Sequence, residues 1–213
     1  MKQVKLNKKK LDFYKALLLN KLNHVEESKR MFLDFIEMAE NPSDDNKIGD
    51  ENFIVVTNYV SALTNIAVIE HNEKNINLSL NYLYKALELS PMSTYLYSMI
   101  ARSEVMRNNK LKAIEILEKA YALRSNDPYI TDSIGWAYYL IDDYVEAEKY
   151  IKKAVELMPD DPTVNDHYGD ILWKLNRNIQ ARYFWNYVLK LDDTDDDIRK
   201  QINIKIIEGL NNS

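Results

Sequence analysis

The side chains best suited to catalysis or metal binding are few and scattered. The chain has three histidines, at positions 24, 71 and 167, and no cysteine. The closest approach to a site is at His167, with Asp166 beside it and Asp170 one helical turn further on. A zinc site would need ligands at helical spacing, and no histidine pair provides them. We interpret His167 as a polar helix position, and we predict no metal, no cofactor and no catalytic residue.

A second candidate for metal chemistry is the acidic cluster 192–197, where Asp193, Asp195 and Asp197 alternate. A calcium loop of the EF-hand type would need glycine where Ile198 stands and glutamate where Ile204 stands. Acidic residues at the start of a helix explain the cluster better, because they complement the helix dipole. Glycine-rich phosphate loops and the common hydrolase motifs are also missing from the sequence. The sequence therefore predicts that the chain is not an enzyme.

The elements that must position any functional residue follow from a period of 34 residues. Gly135 and Gly169 lie 34 apart inside two similar phrases, and the dipeptides Asp127-Pro128 and Asp161-Pro162 precede them at the same interval. An aspartate followed by proline is typical of a helix start, since the aspartate caps the first turn and the proline needs no amide partner there. A period of this length indicates stacked helical repeats.

Composition supports helices joined by short links. The 213 residues include only four Gly and five Pro, while 46% are hydrophobic and 29% charged. The net charge of −5 argues against a nucleic-acid partner. No apolar run is long enough to span a membrane, and the charged start is followed by too short an apolar run for a signal peptide. Between Lys2 and Arg30, nine Lys or Arg stand against three Asp or Glu, which we interpret as a solvated helix face, with anionic lipid or nucleic acid as the alternative.

The repeats can be placed along a single domain, 1–213. Four units share one register, at 60–93, 94–127, 128–161 and 162–195, and a degenerate unit covers about 9–42 with Ala16 and Phe32 at its small and large core positions. A polar insertion at about 41–52 separates the degenerate unit from the others. Residues 196–210 carry isoleucines at helical spacing, and we expect a capping helix there.

The repeat residues resemble the tetratricopeptide-repeat family. The unit at 128–161 carries that family's signature types in order, at Thr131, Ile134, Gly135, Tyr138, Ala147, Ile151 and Pro159. Residues 127–185 are similar to the C-terminal repeats of large alphaproteobacterial proteins of this superfamily. The resemblance implies an all-α, right-handed α-solenoid of about five helix pairs with a C-terminal capping helix. It also implies a concave face, built by the first helix of each pair, that binds a peptide or protein segment.

The family's concave positions select aromatic side chains beside carboxylates. We expect a peptide-binding groove lined by Tyr95, Arg102, Tyr129, Asp132, Trp136, Tyr139, Asp166, Asp170 and Trp173. Aromatics next to charged anchors are a frequent composition at binding hot spots. We therefore predict that the groove binds a basic or mixed extended segment. The alternative is that these aromatics are buried by neighbouring helices.

The functional prediction is a non-catalytic scaffold or adaptor for an unidentified protein or peptide. Two alternatives remain, a self-assembling structural protein such as a homodimer, and the repeat fragment of a larger envelope-associated protein. The predicted compartment is the bacterial cytoplasm, or the periplasm or envelope if the chain belongs to a larger exported protein. Fold alone does not establish any of these roles.

Overall fold

The computed structural model describes the backbone of residues 2–40 and 52–210, and the side chains of residues 11–40 and 56–210. Within these ranges the regular structure is entirely α-helical, which confirms the predicted all-α fold of stacked helix pairs. The polar insertion predicted at about 41–52 lies outside the described residues except for Asn52, which begins a helix. The chain forms two compact units, Met1–Arg107 and Asn108–Ser213.

Unit 1 is a run of helices in which each packs on the next in the chain. The helices are α1 (Lys2–Lys21), α2 (Val25–Glu40), α3 (Asn52–Asn72), α4 (Ile76–Leu89) and α5 (Thr94–Met106). The degenerate first repeat has a true core, since Phe13, Ala16 and Phe32 are almost fully buried. The Ser28 hydroxyl donates to the Ala16 carbonyl at 2.9 Å, which is possible because both side chains are small and α1 and α2 approach closely.

Unit 2 continues the same pattern of sequential packing. Its helices are α6 (Lys110–Leu123), α7 (Pro128–Tyr139), α8 (Tyr144–Leu157), α9 (Pro162–Lys174), α10 (Asn178–Val188) and α11 (Asp196–Glu208). Trp185 of α10 is fully buried at the centre of the core. Asp127 and Asp161 cap α7 and α9 by accepting hydrogen bonds from the first-turn amides, with proline at the first helical position.

Two glycines explain how closely the helices of each pair in unit 2 approach. A Cβ atom at Gly135 would lie 2.6 Å from Cγ1 of Ile151, and one at Gly169 would lie 2.3 Å from Nε1 of Trp185. Both distances are far below van der Waals contact, so neither site has room for a methyl group. The 34-residue glycine spacing therefore reflects steric demand at the point where each pair of helices crosses.

The turns inside the pairs share one backbone conformation. Lys74, Asn108, Asp142 and Asn176 are spaced at 34-residue intervals and have φ between 61° and 68°, and Asn23 takes the same conformation in the first pair with φ of 63°. This left-handed region disfavours most side chains, although Asn and Asp tolerate it best among residues other than glycine. The turns therefore repeat as faithfully as the helices.

The last helix covers the end of unit 2. Asp195 caps α11 by accepting from the Ile198 amide at 2.8 Å, and Ile202 is fully buried against the core. The guanidinium of Arg199 donates to the carbonyls of Leu189, Leu191 and Thr194 and so ties the helix to the preceding loop. The acidic cluster thus acts at a helix start, as the sequence predicts.

Candidate protein-binding surface

In unit 1, a cleft of about 330 Å³ lies between the first helices of two successive repeats. Its lining consists of Val60, Ser61, Thr64, Asn65 and Val68 from α3, with Ser93, Tyr95 and Leu96 at the start of α5. The lining carries hydroxyl, amide and aliphatic groups and no charged side chain. Such a surface can accept both the main chain and an apolar side chain of an extended polypeptide.

The polar groups on α3 are held in place by local hydrogen bonds. The Thr64 hydroxyl donates to the Val60 carbonyl at 2.7 Å, and the Asn65 amide donates to the Ser61 carbonyl at 2.8 Å. Asn20 of α1 donates to the side-chain oxygen of Asn65 at 3.2 Å. These bonds fix the side chains before any partner arrives, so little rotamer freedom remains to be lost on binding.

Of the two groove residues predicted in unit 1, one lines the cleft. Tyr95 has 57% of its surface exposed and lines the cleft, whereas Arg102, also exposed, is not among the lining residues. Arg102 instead acts on His71, which is buried with Nδ1 3.0 Å from the Ser103 hydroxyl. Burial lowers the pKa of His71, and the charges of Arg102 and Lys74 lower it further. His71 is therefore a neutral core residue.

In unit 2, three of the predicted residues meet around His167. The Trp136 ring stacks on the His167 ring with centroids 4.0 Å apart, and on the Tyr139 ring at 4.5 Å. His167 Nδ1 lies 2.8 Å from a carboxylate oxygen of Asp132. Burial alone would lower the pKa of His167, but this hydrogen bond and the nearby carboxylate charges outweigh it and raise the pKa. The rings of Tyr139, Trp136 and His167 therefore form one stack, and the raised pKa favours the cationic form of His167 at its end.

The predicted acidic anchors Asp166 and Asp170 already hold a lysine of the chain itself. Lys205 of α11 places Nζ 2.6 and 2.8 Å from the Asp166 oxygens, and 2.8 and 2.9 Å from those of Asp170. The indole of Trp185 donates to Asp170 at 3.1 Å. The two carboxylates therefore are not free, and a basic partner must displace Lys205 to reach them.

The Asp170 carboxyl group is buried and has a raised pKa. Its side chain is 7% exposed. Burial and then the charge of Asp166 raise the pKa of Asp170 to about 6, against the lowering effects of Lys205 and Trp185. Asp166, Asp170 and Lys205 thus lie together with little exposure to solvent, and their contacts connect α9 to α11.

The remaining predicted residues differ in accessibility. Tyr129 is 68% exposed at the start of α7, while Trp173 is partly covered. The Trp173 ring packs at 5.4 Å from that of Trp185, and the backbone at Gly209 comes so close that a Cβ there would lie 2.0 Å from Cζ2 of Trp173. Trp173 therefore supports the end of unit 2 more than it offers a flat contact face.

Several residues of these surfaces carry no signal in the sequence. His167 reads there as an isolated polar position, because its stacking partner Trp136 lies 31 residues away on another helix. Lys205 carries no repeat signal, because α11 lies outside the 34-residue register. The cleft residues Ser61, Asn65 and Ser93 belong to no sequence motif that would have identified them. Only the position of Ser61 within its repeat could have suggested it, because it precedes the predicted groove residue Tyr95 by one repeat of 34 residues.

Comparison with known families agrees with the geometry. Residues 60–91 and 133–161 match the family model of the tetratricopeptide repeat. This chain contains tetratricopeptide repeats. The two matched stretches correspond to α3–α4 and α7–α8, one helix pair in each unit. Comparison with curated protein sequences gives no match. The similarity to alphaproteobacterial C-terminal repeats stays a prediction.

Solved structures of tetratricopeptide-repeat proteins share the fold over most of the chain. TTC0263, a thermophilic protein of Thermus thermophilus, has a TM-score of 0.69 at 16% identity, covering 93% of this chain and 99% of its own. MamA (41-end) from Desulfovibrio magneticus RS-1 scores 0.68 at 17% identity, covering 89% and 97%. YrrB, a tetratricopeptide-repeat protein with an unusual peptide-binding site, scores 0.60 at 14% identity, covering 90% of each chain. Identities this low show the fold alone.

Metal sites and membrane spans are not evident in the part of the chain that the structure describes. Among those residues, no group of three or more His, Asp or Glu could hold a metal ion. None of the helices in the described ranges is both long and apolar enough to cross a membrane. Repeats of this family generally serve as interaction modules, so the surfaces described above are the candidates for function.

Proposed function

We propose that this tetratricopeptide-repeat protein is a non-catalytic adaptor that binds an extended segment of another protein in the cleft between α3 and α5. The observation that supports the proposal is the cleft itself, which lies between the first helices of two successive repeats and includes the predicted groove residue Tyr95. Its neutral hydrogen-bonding groups suit the main chain of a partner. The exposed Tyr95 ring supplies the flat apolar contact that often dominates binding energy.

The chain offers a matched pair of residues for testing this site. Tyr95 and Tyr129 hold the same position in successive repeats and are 57% and 68% exposed, yet only Tyr95 lines the cleft. We would select peptides from a random display library against the purified chain, and measure their affinity for the wild type, Tyr95→Ala and Tyr129→Ala by fluorescence anisotropy. We expect Tyr95→Ala to weaken binding by about tenfold or more, because it removes an aromatic anchor. Tyr129→Ala should leave the affinity unchanged.

A second variant checks the cleft without removing a contact. Ser61→Trp fills the space between the helices, and we expect it to abolish peptide binding while the circular dichroism spectrum stays unchanged. Peptides that bind all three variants as tightly as the wild type would refute the cleft as the site. Failure to select any peptide above background would argue against the adaptor function itself.

Unit 2 supports a second binding surface on the same scaffold. The pair Asp166 and Asp170 holds one ammonium group with four contacts of 2.6 to 2.9 Å, so it has the geometry of a lysine receptor. A lysine-bearing partner could use it only by exchanging with Lys205. His167, next to Asp166 in the chain, contacts Asp132 and stacks on Trp136, which stacks on Tyr139. Selected peptides rich in lysine whose binding is lost in Trp136→Ala, but not in Tyr95→Ala, would favour this surface.

The finer points of localisation and assembly remain proposals. The bacterial cytoplasm is the compartment we favour, with the envelope as the alternative if the chain is part of a larger exported protein. A homodimer is the alternative to a monomeric adaptor. Sedimentation across a range of concentrations decides between these two states.

A further inference from the structure

The first helix, α1, has one face buried in the core and another face exposed to solvent. Phe13 and Ala16 face the core and are at most 2% exposed, with the Phe13 ring 5.3 Å from that of Phe35 in α2. The other face carries large apolar side chains that remain in solvent, and these are Leu11, Tyr14, Leu18 and Leu22, with 66%, 55%, 56% and 59% of their surfaces exposed. We call these four residues the α1 stripe.

The spacing of the α1 stripe shows that it forms a single surface. Its members follow each other at intervals of three, four and four residues, so they lie one above the other on a helix face for three turns. Leu22 stands directly after the last residue of α1. Single exposed leucines are common on proteins, but a continuous row of them indicates an interaction site.

Charge distinguishes this end of the chain from the rest. Residues 2–30 carry nine Lys or Arg against three Asp or Glu, a net charge of +6. The remaining residues carry 19 Lys or Arg against 30 Asp or Glu, a net charge of −11, out of totals of 28 and 33. Next to the stripe, Lys15 is 55% exposed and Lys21 is exposed, with Glu27 at 3.8 Å from Lys15 as a nearby acid. The exposed apolar row therefore lies in the basic segment of an otherwise acidic chain.

We propose that the α1 stripe is a docking surface for an anionic lipid membrane, on which α1 lies parallel to the plane of the bilayer. Leucine and tyrosine side chains suit the boundary between headgroups and acyl chains, and flanking lysines suit anionic headgroups. The acidic remainder of the chain is repelled by the same surface, so the protein docks by this end. The proposal is independent of the peptide cleft, because none of the cleft residues belongs to the stripe.

Two other partners fit the observations less well. Nucleic acid would attract the lysines, but it offers nothing to bury a row of leucines. A second copy of the chain would cover the leucines, but pairing two helices of the same positive charge brings like charges together. An anionic lipid surface satisfies the apolar row and the positive charge together.

The test is co-sedimentation of the purified chain with vesicles. Vesicles of phosphatidylcholine mixed with phosphatidylserine should bind the wild type, and vesicles of phosphatidylcholine alone should bind it poorly. Raising the salt from about 0.1 M to about 1 M shortens the screening length from roughly 10 Å to 3 Å and should weaken the binding. Binding that ignores both lipid charge and salt would overturn the proposal.

Variants separate the apolar and the charged contributions. In Leu11→Gln/Leu18→Gln/Leu22→Gln we expect about fivefold weaker partitioning per leucine, or about 100-fold in total, since part of each side chain is already buried. Lys15→Gln/Lys21→Gln should weaken binding by about fivefold per charge. The control is Leu111→Gln/Ile179→Gln, which replaces side chains that are 73% and 88% exposed in unit 2 and should bind like the wild type.

The readouts also identify the competing partners. Equal unfolding curves for all variants exclude loss of fold as the cause of weaker binding. If the leucine variant instead converts a dimer to a monomer in sedimentation, and neither form binds vesicles, the stripe is a contact between copies and the proposal is wrong. Binding to a duplex DNA probe without binding to vesicles would also refute it, as would vesicle binding that the leucine variant retains in full.

Discussion

Replacing Lys205 by methionine tests whether the charge cluster ties α11 to unit 2. Methionine keeps the length of the side chain but removes the ammonium group that contacts both Asp166 and Asp170. Two carboxylates that both contact one ammonium group lie close enough to repel each other by about 3 kcal/mol at an effective dielectric constant near 20. Removing one partner of a buried ion pair typically costs about 3–5 kcal/mol. Because Asp166 and Lys205 are each 17% exposed, we expect the low end, a loss of about 3 kcal/mol in the free energy of unfolding at pH 7.

The sign of the pH dependence follows from Asp170. Its folded-state pKa is raised to about 6, above the usual 3.8, so the folded protein binds this proton more tightly than the unfolded chain does. The contribution of this group to stability is therefore greatest at low pH and is lost as the pH rises from about 4 to about 6. At pH 5 Asp170 is therefore mostly protonated in the wild type, and it is also protonated in the variant, which lacks the lysine that lowers this pKa. We expect the loss to fall to about 1–2 kcal/mol there, since one pKa unit corresponds to about 1.4 kcal/mol.

The assay is urea unfolding followed by tryptophan emission. All three tryptophans, at positions 136, 173 and 185, lie in unit 2, so the signal reports on that unit. Lys200→Met is the control, because Lys200 and its partner Asp197 are 74% and 87% exposed and the pair contributes under about 0.5 kcal/mol. Adding Asp170→Asn to the Lys205 variant should restore most of the stability. Equal midpoints for Lys205→Met and wild type, or a loss that does not change between pH 7 and pH 5, would refute the reasoning.

Two further substitutions test the packing and the capping of unit 2. Gly169→Ala adds a methyl group 2.3 Å from the buried Trp185 ring. Overpacking costs about 1–3 kcal/mol and the gain in helix propensity is about 1 kcal/mol, so we expect a net loss of up to about 2 kcal/mol in urea unfolding. A variant as stable as the wild type would show that the indole can move aside. Asp161→Ala removes the acceptor for the amides of Thr163 and Val164 and should cost about 1 kcal/mol, whereas Asp161→Asn keeps an acceptor oxygen and should cost less. Equal losses for the two variants would contradict capping as the reason for this aspartate.

The repeat core could be predicted from the sequence because its signals are local. Asp161-Pro162 marks the start of α9 within the chain segment that forms it, and Gly169 reports a contact that recurs in every pair of the same geometry. The Asp-Pro signal is missing before α3, so it could not locate the start of that helix. That helix begins at Asn52, eight residues before the repeat unit at 60–93. No proline marks its boundary, but the helical spacing of Phe53, Val56 and Val60 predicts this early start.

The candidate surfaces depend on contacts between distant residues, and this limits what the sequence can predict. The groove positions of the repeat selected Asp166 and Asp170, but not that Lys205, 39 and 35 residues further along, reaches both of them. A lysine on a helix outside the repeat register has no partner that periodicity can suggest. Likewise, an exposed leucine row on α1 becomes visible only once Phe13 is seen to define the opposite, buried face.

The recurring left-handed residue between paired helices has a consequence for how this molecule tolerates variation. The five positions hold three asparagines, one aspartate and one lysine, yet φ differs among them by only 7°, from 61° to 68°. Lysine gains nothing from this conformation, so the flanking helices must impose it on Lys74 once they have packed. The conformation of these turns is therefore determined by the helices that they connect. Replacing a turn residue changes how easily the turn forms but leaves its φ angle the same.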